Sequence, residues 1–144
     1  MVRIFVLAVM AGMALWGEGW TVVKGTEGIQ WPYDAVQTPD GNLWVAAGAQ
    51  VYRYDGRQVQ VYGESQGLES KRGMVLALDG AGTLLVGTTE GLYRMEGGRF
   101  RRLMGGMVYG VAGRGDGLIA VNVAGVVTVG RVDGPWRRLA MKVR

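Results

Sequence analysis

Aromatic and basic side chains recur in three short segments between runs of apolar residues. The first segment carries Trp31 and Tyr33, the second carries Lys71 and Arg72, and the third carries Tyr109. An indole or phenol ring offers an apolar face with a polar edge, and Lys and Arg donate charge-assisted hydrogen bonds to anions. This combination suits a sugar or an anionic glycan. We therefore take these five residues as candidate ligand-binding residues.

Two residue types that serve many enzymes are missing from the 144 residues. The sequence has no histidine, which excludes Ser-His-Asp and Cys-His catalysis and histidine metal sites. It has no cysteine, which excludes disulfides, zinc fingers and thiol catalysis. Asp40, Asp55 and Asp116 each precede a glycine, so we interpret them as turn residues. We predict a protein that is not an enzyme and that has no cofactor and no metal.

The formal net charge of +4 is unevenly distributed. Residues 73–144 carry 10 basic and 5 acidic side chains, and this excess could attract nucleic acid or an acidic glycan. The alternative is a set of solvated strand edges, where charge discourages edge-to-edge pairing. The sequence shows no aromatic-basic nucleic-acid module, so we favour the solvated edges and predict no nucleic-acid partner.

The elements that must position the candidate residues repeat along the chain. Similar segments start at Trp20, Val59, Phe100 and Trp136, and these starts are 39, 41 and 36 residues apart. A period near 40 with short apolar runs between glycines fits four short strands per unit, the size of a propeller blade. We therefore predict an all-β fold of about three four-stranded antiparallel blades, a partial β-propeller. Its repeats span about 20–58, 59–99 and 100–135, with a further start at 136–144.

Within the second repeat, four strands are predicted near 74–78, 83–88, 91–95 and 99–103. Glycines after acidic residues mark the hairpins, because they supply the positive φ that tight turns need. Such turns are predicted at Asp40-Gly41, Asp55-Gly56 and Glu96-Gly97-Gly98. Four aromatic residues on the strands are predicted to lie in the core: Trp44, Tyr52, Tyr93 and Phe100.

The N-terminus has the pattern of an export signal. Arg3 precedes an apolar run from Ile4 to Trp16, which is shorter than the ~20 residues of a membrane span and fits a secretory signal. We predict a signal peptide at residues 1–17 and a mature domain at 18–144 that is periplasmic or secreted and has no membrane span. The alternative is a buried first strand or helix.

The repeats resemble a known family. The segment 38–45, Thr-Pro-Asp-Gly-Asn-Leu-Trp-Val, and the segment 82–94, which includes Val-Gly-Thr-Thr-Glu-Gly-Leu-Tyr-Arg, are similar to the repeat of two-component regulator propellers. The segment 63–70 is similar to the connection between their blades. In the third repeat, Val121–Ala124 replaces the Trp and Gly-Thr of the pattern. The resemblance implies the extracytoplasmic input domain of a bacterial sensor, which binds a glycan or another small ligand and signals through a membrane-linked transmitter.

This reading places the candidate residues on loops at one mouth of the propeller, because the strands are occupied with packing. The alternative is that Trp31 and Tyr33 cap the interface between blades. Two other functions stay open, a propeller enzyme of the streptogramin-lyase type and a self-assembling structural or adhesion module. Propellers close with about 4–8 blades, so we expect either further blades after Arg144, the chain being a fragment, or self-association of the chain.

Overall fold

The computed structural model describes residue 26, residues 28–70 and residues 74–140. The predicted signal peptide at 1–17 and the leading strand at Trp20–Val23 lie outside these residues and stay predictions. The described residues form twelve β-strands and one short 3-10 helix, Glu64–Gln66. This part of the chain contains no helix with the length and hydrophobicity needed to cross a bilayer.

The strands form three four-stranded antiparallel sheets, each in simple up-and-down order. Blade 1 consists of β1 Pro32–Gln37, β2 Leu43–Ala47, β3 Gln50–Tyr54 and β4 Val59–Tyr62. Blade 2 consists of β5 Val75–Leu78, β6 Leu84–Gly87, β7 Gly91–Glu96 and β8 Arg99–Gly105. Blade 3 consists of β9 Val108–Gly113, β10 Ile119–Val123, β11 Val126–Gly130 and β12 Arg137–Arg138.

These sheets confirm the predicted fold class of three four-stranded blades. Each strand of blade 2 begins and ends within one or two residues of its predicted bounds. The agreement is close because the glycines of the turns limit where a strand of alternating residues can begin and end. Each sheet takes its fourth strand from the start of the next sequence repeat. For example, β4 pairs with β3 although Val59 begins the second repeat, so the repeats and the sheets are offset by one strand.

The hairpin turns have the predicted chemistry. Gly41 and Gly56 adopt φ of +87° and +96°, where a side chain would be strained. The Asp40 carboxylate accepts hydrogen bonds from the Thr38 hydroxyl and the Asn42 N–H, and these bonds lower the pKa of Asp40. The Asp55 carboxylate accepts hydrogen bonds from the backbone N–H groups of the two residues before Val59, and these bonds lower the pKa of Asp55 in the same way. Both carboxylates are therefore turn residues.

Adjacent blades pack through apolar side chains. The cluster between blades 1 and 2 includes Trp44, Tyr93 and Phe100, all buried, which confirms their predicted place in the core. The cluster between blades 2 and 3 is built on Leu85, Leu92, Val108, Ile119 and Val121. Tyr52 differs from the prediction. It lies half-buried on the side of blade 1 away from blade 2, beside Val45, because alternate residues of β3 face opposite sides of the sheet.

The first strands of the three sheets, β1, β5 and β9, lie side by side. They run in the same direction, because Pro39 after β1 contacts Gly82 after β5, and Gly113 at the end of β9 contacts Leu78 at the end of β5. At one end, the Val108 N–H at the start of β9 donates to the carbonyl of Thr88, which follows β6, at 2.9 Å. At the other end, Gly113 of β9 packs against the backbone of Leu78 and Asp79 at the end of β5. The N-terminal ends of these three strands therefore share one rim of the blade stack.

Candidate functional site

The candidate aromatic residues lie on the rim where the first strands begin. Trp31 immediately precedes β1 and Tyr33 is its second residue, while Met107 immediately precedes β9 and Tyr109 is its second residue. We call the three aromatic residues the aromatic rim, and Met107 lies beside them on the same edge. All four side chains are exposed, and they are among the large apolar side chains that the described residues leave open to solvent.

A one-residue bulge turns each of the two tyrosines outward. Along β1 the pairing steps from Pro32 opposite Ala47 to Asp34 opposite Ala46, so Tyr33 is an extra residue. Along β9 it steps from Val108 opposite Val123 to Gly110 opposite Asn122, so Tyr109 is extra as well. A bulge leaves its extra residue outside the ladder and re-aims its side chain. The exposed fractions of Tyr33 and Tyr109 are 50% and 59%.

Trp31 combines high exposure with an unusual backbone. Its side chain is 80% exposed, so the indole lies on the surface rather than in a blade interface. Its φ is +55°, a left-handed conformation that is rare for a bulky residue, and Pro32 follows it. Strained residues of this kind cluster at ligand-binding positions, where the surrounding structure holds them. An apolar ring held open to water in this way is available to a ligand.

The base of the rim is held by a hydrogen bond between blades 1 and 2. The Asp34 carboxylate, next to Tyr33, accepts the Leu76 N–H of blade 2 and the Ala35 N–H, each at 2.8 Å. It therefore fixes the start of β1 against β5. This role was missed in the sequence, because an aspartate within a strand gives no signal that its partner lies on another blade.

The two basic candidates, Lys71 and Arg72, lie outside the described residues. They fall in the sequence between Ser70 and Met74, directly before β5, and β5 is the strand between the two that carry the tyrosines. The structure therefore brings Trp31, Tyr33 and Tyr109 to one rim, and the place of the basic pair there stays a prediction.

A second concave surface lies at the opposite end of the strands, between the β1–β2 and β5–β6 turns. It has a volume of about 320 Å³, and its walls include Pro39, Trp44, Leu84 and Met95. The Asp40 carboxylate at the edge of this surface accepts hydrogen bonds from the Thr38 hydroxyl and from the Asn42 side-chain amide. Sequence reasoning missed this groove, because it arises from the meeting of two turns on different blades.

The described residues contain no group of three or more Asp and Glu side chains placed to hold a metal ion. The buried carboxylate of Asp79 is paired with Arg94 at 2.8 Å and accepts the N–H groups of Ala81 and Thr83. The arrangement at the rim can stack against a ring and donate or accept hydrogen bonds through phenol groups. It is suited to binding.

Comparisons with known proteins show the fold. No protein-family model matches the sequence, and no curated protein matches it. Among solved structures, the chain resembles a catalytically inactive histidine-to-alanine variant of virginiamycin B lyase from Staphylococcus aureus with quinupristin, with a TM-score of 0.63 and 13% identity. It also resembles the selenomethionine-substituted form of that lyase, with a TM-score of 0.63 and 14% identity.

The match covers 78% of this chain and 42% of the lyase chain, so the chain spans about two fifths of the length of these structures. Sequence identity at this level shows a shared architecture and does not show a shared activity. The lyases are β-propellers, and the three four-stranded antiparallel sheets of this chain have the architecture of propeller blades. The described residues are therefore three consecutive blades of a β-propeller.

Proposed function

We propose that the chain is an exported ligand-binding module that recognises a glycan with its aromatic rim. The observation that carries this proposal is the pair of bulges that expose Tyr33 and Tyr109 at the same position of blades 1 and 3. Packing between blades gains nothing from an exposed ring. A repeated device that opens an aromatic ring to solvent is better explained by contact with a ligand.

The chemistry of the rim favours a carbohydrate. The rings of Trp31, Tyr33 and Tyr109 offer flat apolar faces, and the phenol groups add hydrogen bonds at their edges. A sugar ring has apolar C–H faces and hydroxyl edges that match this arrangement. Lys71 and Arg72, predicted on the same rim, would extend recognition to a sulfated or uronic-acid glycan. Export would follow from the predicted signal peptide at 1–17, and a sensor role would follow from the family resemblance.

The rim tyrosines should dominate affinity for an oligosaccharide. Neutral and uronic-acid oligosaccharides on a glycan array identify a binder, and isothermal titration calorimetry then measures its Kd. Because buried aromatic contacts carry much of the energy of an interface, the paired Tyr33→Ala and Tyr109→Ala change should weaken binding at least ~10-fold. Gln37→Ala is the matched control, since Gln37 is exposed at the other end of β1. Unchanged affinity in the paired variant would refute the proposed site.

A lyase function is the second candidate, and the fold similarity is the observation in its favour. The comparison structure is inactive after loss of one histidine, and these 144 residues hold no histidine. We therefore expect the chain to leave quinupristin unchanged during a long incubation, as followed by liquid chromatography beside an active virginiamycin B lyase. Conversion of quinupristin by the purified chain above a protein-free blank would favour the enzyme instead.

A further inference from the structure

The turn between β6 and β7 of blade 2 holds the segment that leads into Tyr109 of blade 3. The Thr88 carbonyl accepts the Val108 N–H at 2.9 Å, and the Glu90 carbonyl accepts the Gly106 N–H at 3.2 Å. Both bonds reach the chain just before the bulge of β9. The start of β9 is therefore placed by blade 2 as well as by its own partner strand, β10.

Close packing between blades 2 and 3 adds to these hydrogen bonds. A methyl group on Gly87, the last residue of β6, would overlap the Val108 side chain. Val108 is buried and belongs to the apolar cluster between the two blades. Because Val108 is anchored in this interface, the extra residue that follows it, Tyr109, has no place there and its ring is left in solvent.

The Thr88 side chain closes the turn that makes these contacts. The residue is fully buried, and its hydroxyl accepts the N–H groups of Glu90 and Gly91 at 3.0 and 3.1 Å. The same hydroxyl donates to the Glu69 carbonyl at 2.9 Å, in the connection between blades 1 and 2. A threonine hydroxyl has one donor and two acceptor sites, and all three are used here. The side chain therefore sets the shape of the turn whose carbonyls hold the start of β9.

Blade 2 anchors the other rim tyrosine through Asp34. Asp34 follows Tyr33 directly, and its carboxylate accepts the N–H of Leu76, the second residue of β5, at 2.8 Å. Tyr33 is the extra residue of its bulge, as Tyr109 is on β9. On blades 1 and 3 alike, the extra tyrosine thus adjoins a residue that is bonded to blade 2.

We propose that Thr88 and Asp34 are positioning residues of the aromatic rim, which hold Tyr109 and Tyr33 in place from blade 2. The inference rests on the proposed function, since it assigns both residues to the site at which a glycan would bind. A ring that is already held in place loses less conformational freedom when a ligand binds. Each anchor serves its own tyrosine, so removing one anchor should loosen one ring and leave the other in place. General damage to the fold would not be selective in this way.

Nuclear magnetic resonance of the isotope-labelled chain without ligand tests the positioning first. We expect Thr88→Val to shift the Tyr109 ring resonances, to leave those of Tyr33 unchanged and to speed amide exchange at Val108 at least ~10-fold. Thr88→Ser keeps the hydroxyl and should give the parent values. Asp34→Ala should give the reverse pattern and shift Tyr33 alone, and it tests the proposal even if Thr88→Val does not fold.

Thr83→Val is the matched control for the loss of a threonine hydroxyl. The Thr83 hydroxyl accepts a hydrogen bond from Arg94 at 3.2 Å, at the opposite end of blade 2. This change should leave the ring resonances of Tyr33 and Tyr109 and the exchange of the Val108 amide unchanged. Circular dichroism checks that every variant keeps the β-sheet spectrum.

Calorimetry with the oligosaccharide that the glycan array identifies then connects positioning to binding. Thr88→Val and Asp34→Ala should each weaken its affinity at least ~5-fold, about the effect of one hydrogen bond, and Thr88→Ser should bind as the parent does. Ring resonances that stay unchanged in both variants, or that shift at Tyr33 and Tyr109 together in each, would overturn the inference whatever the glycan result.

The affinities also separate this inference from the proposed function. Selective ring shifts with unchanged affinity would overturn the inference, while weaker binding by the paired Tyr33→Ala and Tyr109→Ala variant would still support the rim as the binding site. A parent chain that binds no array glycan, or one that binds no better than the paired variant, would refute the proposed function and the inference with it.

Discussion

Replacing Gly113 by alanine should destabilise the chain by about 3 kcal/mol, the upper part of the range for overpacking a close contact. A methyl group at this position would lie 2.7 Å from the Cα of Asp79 and closer still to the Leu78 carbonyl. Backbone atoms cannot move aside as a flexible side chain can. The substitution should therefore push β9 away from β5 and loosen the packing of blade 3 on blade 2.

Urea unfolding followed by circular dichroism measures this effect, and Gly110→Ala is the control. Gly110 lies in the same strand, and a methyl group there would meet nothing within 4 Å. We expect the control to stay within about 0.5 kcal/mol of the parent protein, as surface substitutions usually do. Equal stability of the two variants would show that blades 2 and 3 do not approach each other as closely as described.

The second large effect is expected at Asp79, whose side chain is buried in the β5–β6 turn. Its carboxylate accepts the Ala81 and Thr83 N–H groups at 2.9 Å and the Arg94 guanidinium at 2.8 Å. Asp79→Ala leaves these donors without their acceptor, and breaking a buried pair costs about 3 kcal/mol or more. Asp116→Ala is the control, because that turn aspartate is exposed, and it should destabilise the chain much less than Asp79→Ala does.

The Asp79 contribution should also depend on pH. Burial by itself raises the pKa of Asp79, but the hydrogen bonds from Arg94, Thr83 and Ala81 outweigh burial and hold the pKa below 3.8, the ordinary value. A carboxyl with a lowered folded pKa stabilises the protein fully above its unfolded pKa and loses that contribution as the pH falls through the folded pKa. The stability gap between the parent protein and Asp79→Ala should thus be constant near pH 7 and narrow below about pH 4. A stability gap of the same size at acid pH as at pH 7 would contradict this assignment.

The blades could be predicted because their signals are local. An acidic residue followed by glycine marks most of the hairpins, and the alternation of apolar residues between turns sets the strands. Trp44 could be placed in the core for the same reason, since it follows a turn at a fixed distance. The side on which Tyr52 lies required the register of β3 against β2, and that register depends on pairing across the sheet.

The candidate site could be predicted only in part. The rim position of Trp31, Tyr33 and Tyr109 follows from their place at the start of the first strands. Their exposure depends on two bulges and one left-handed residue, and nothing in the local sequence marks a bulge without a glycine. The partner of Asp34 and the groove beside Pro39 arise from contacts between blades, and no local pattern of residues in the sequence indicates such contacts.

The central claim is that a ligand binds at the aromatic rim, and nuclear magnetic resonance of the isotope-labelled chain tests it most directly. The probe is the oligosaccharide with the strongest signal on the glycan array. We predict that titration shifts the ring resonances of Trp31, Tyr33 and Tyr109 together and leaves the methyl resonances of Thr38 and Thr83, in the opposite groove, unchanged. Shifts confined to Thr38 and Thr83, or no shifts with any array glycan at millimolar concentration, would contradict the account.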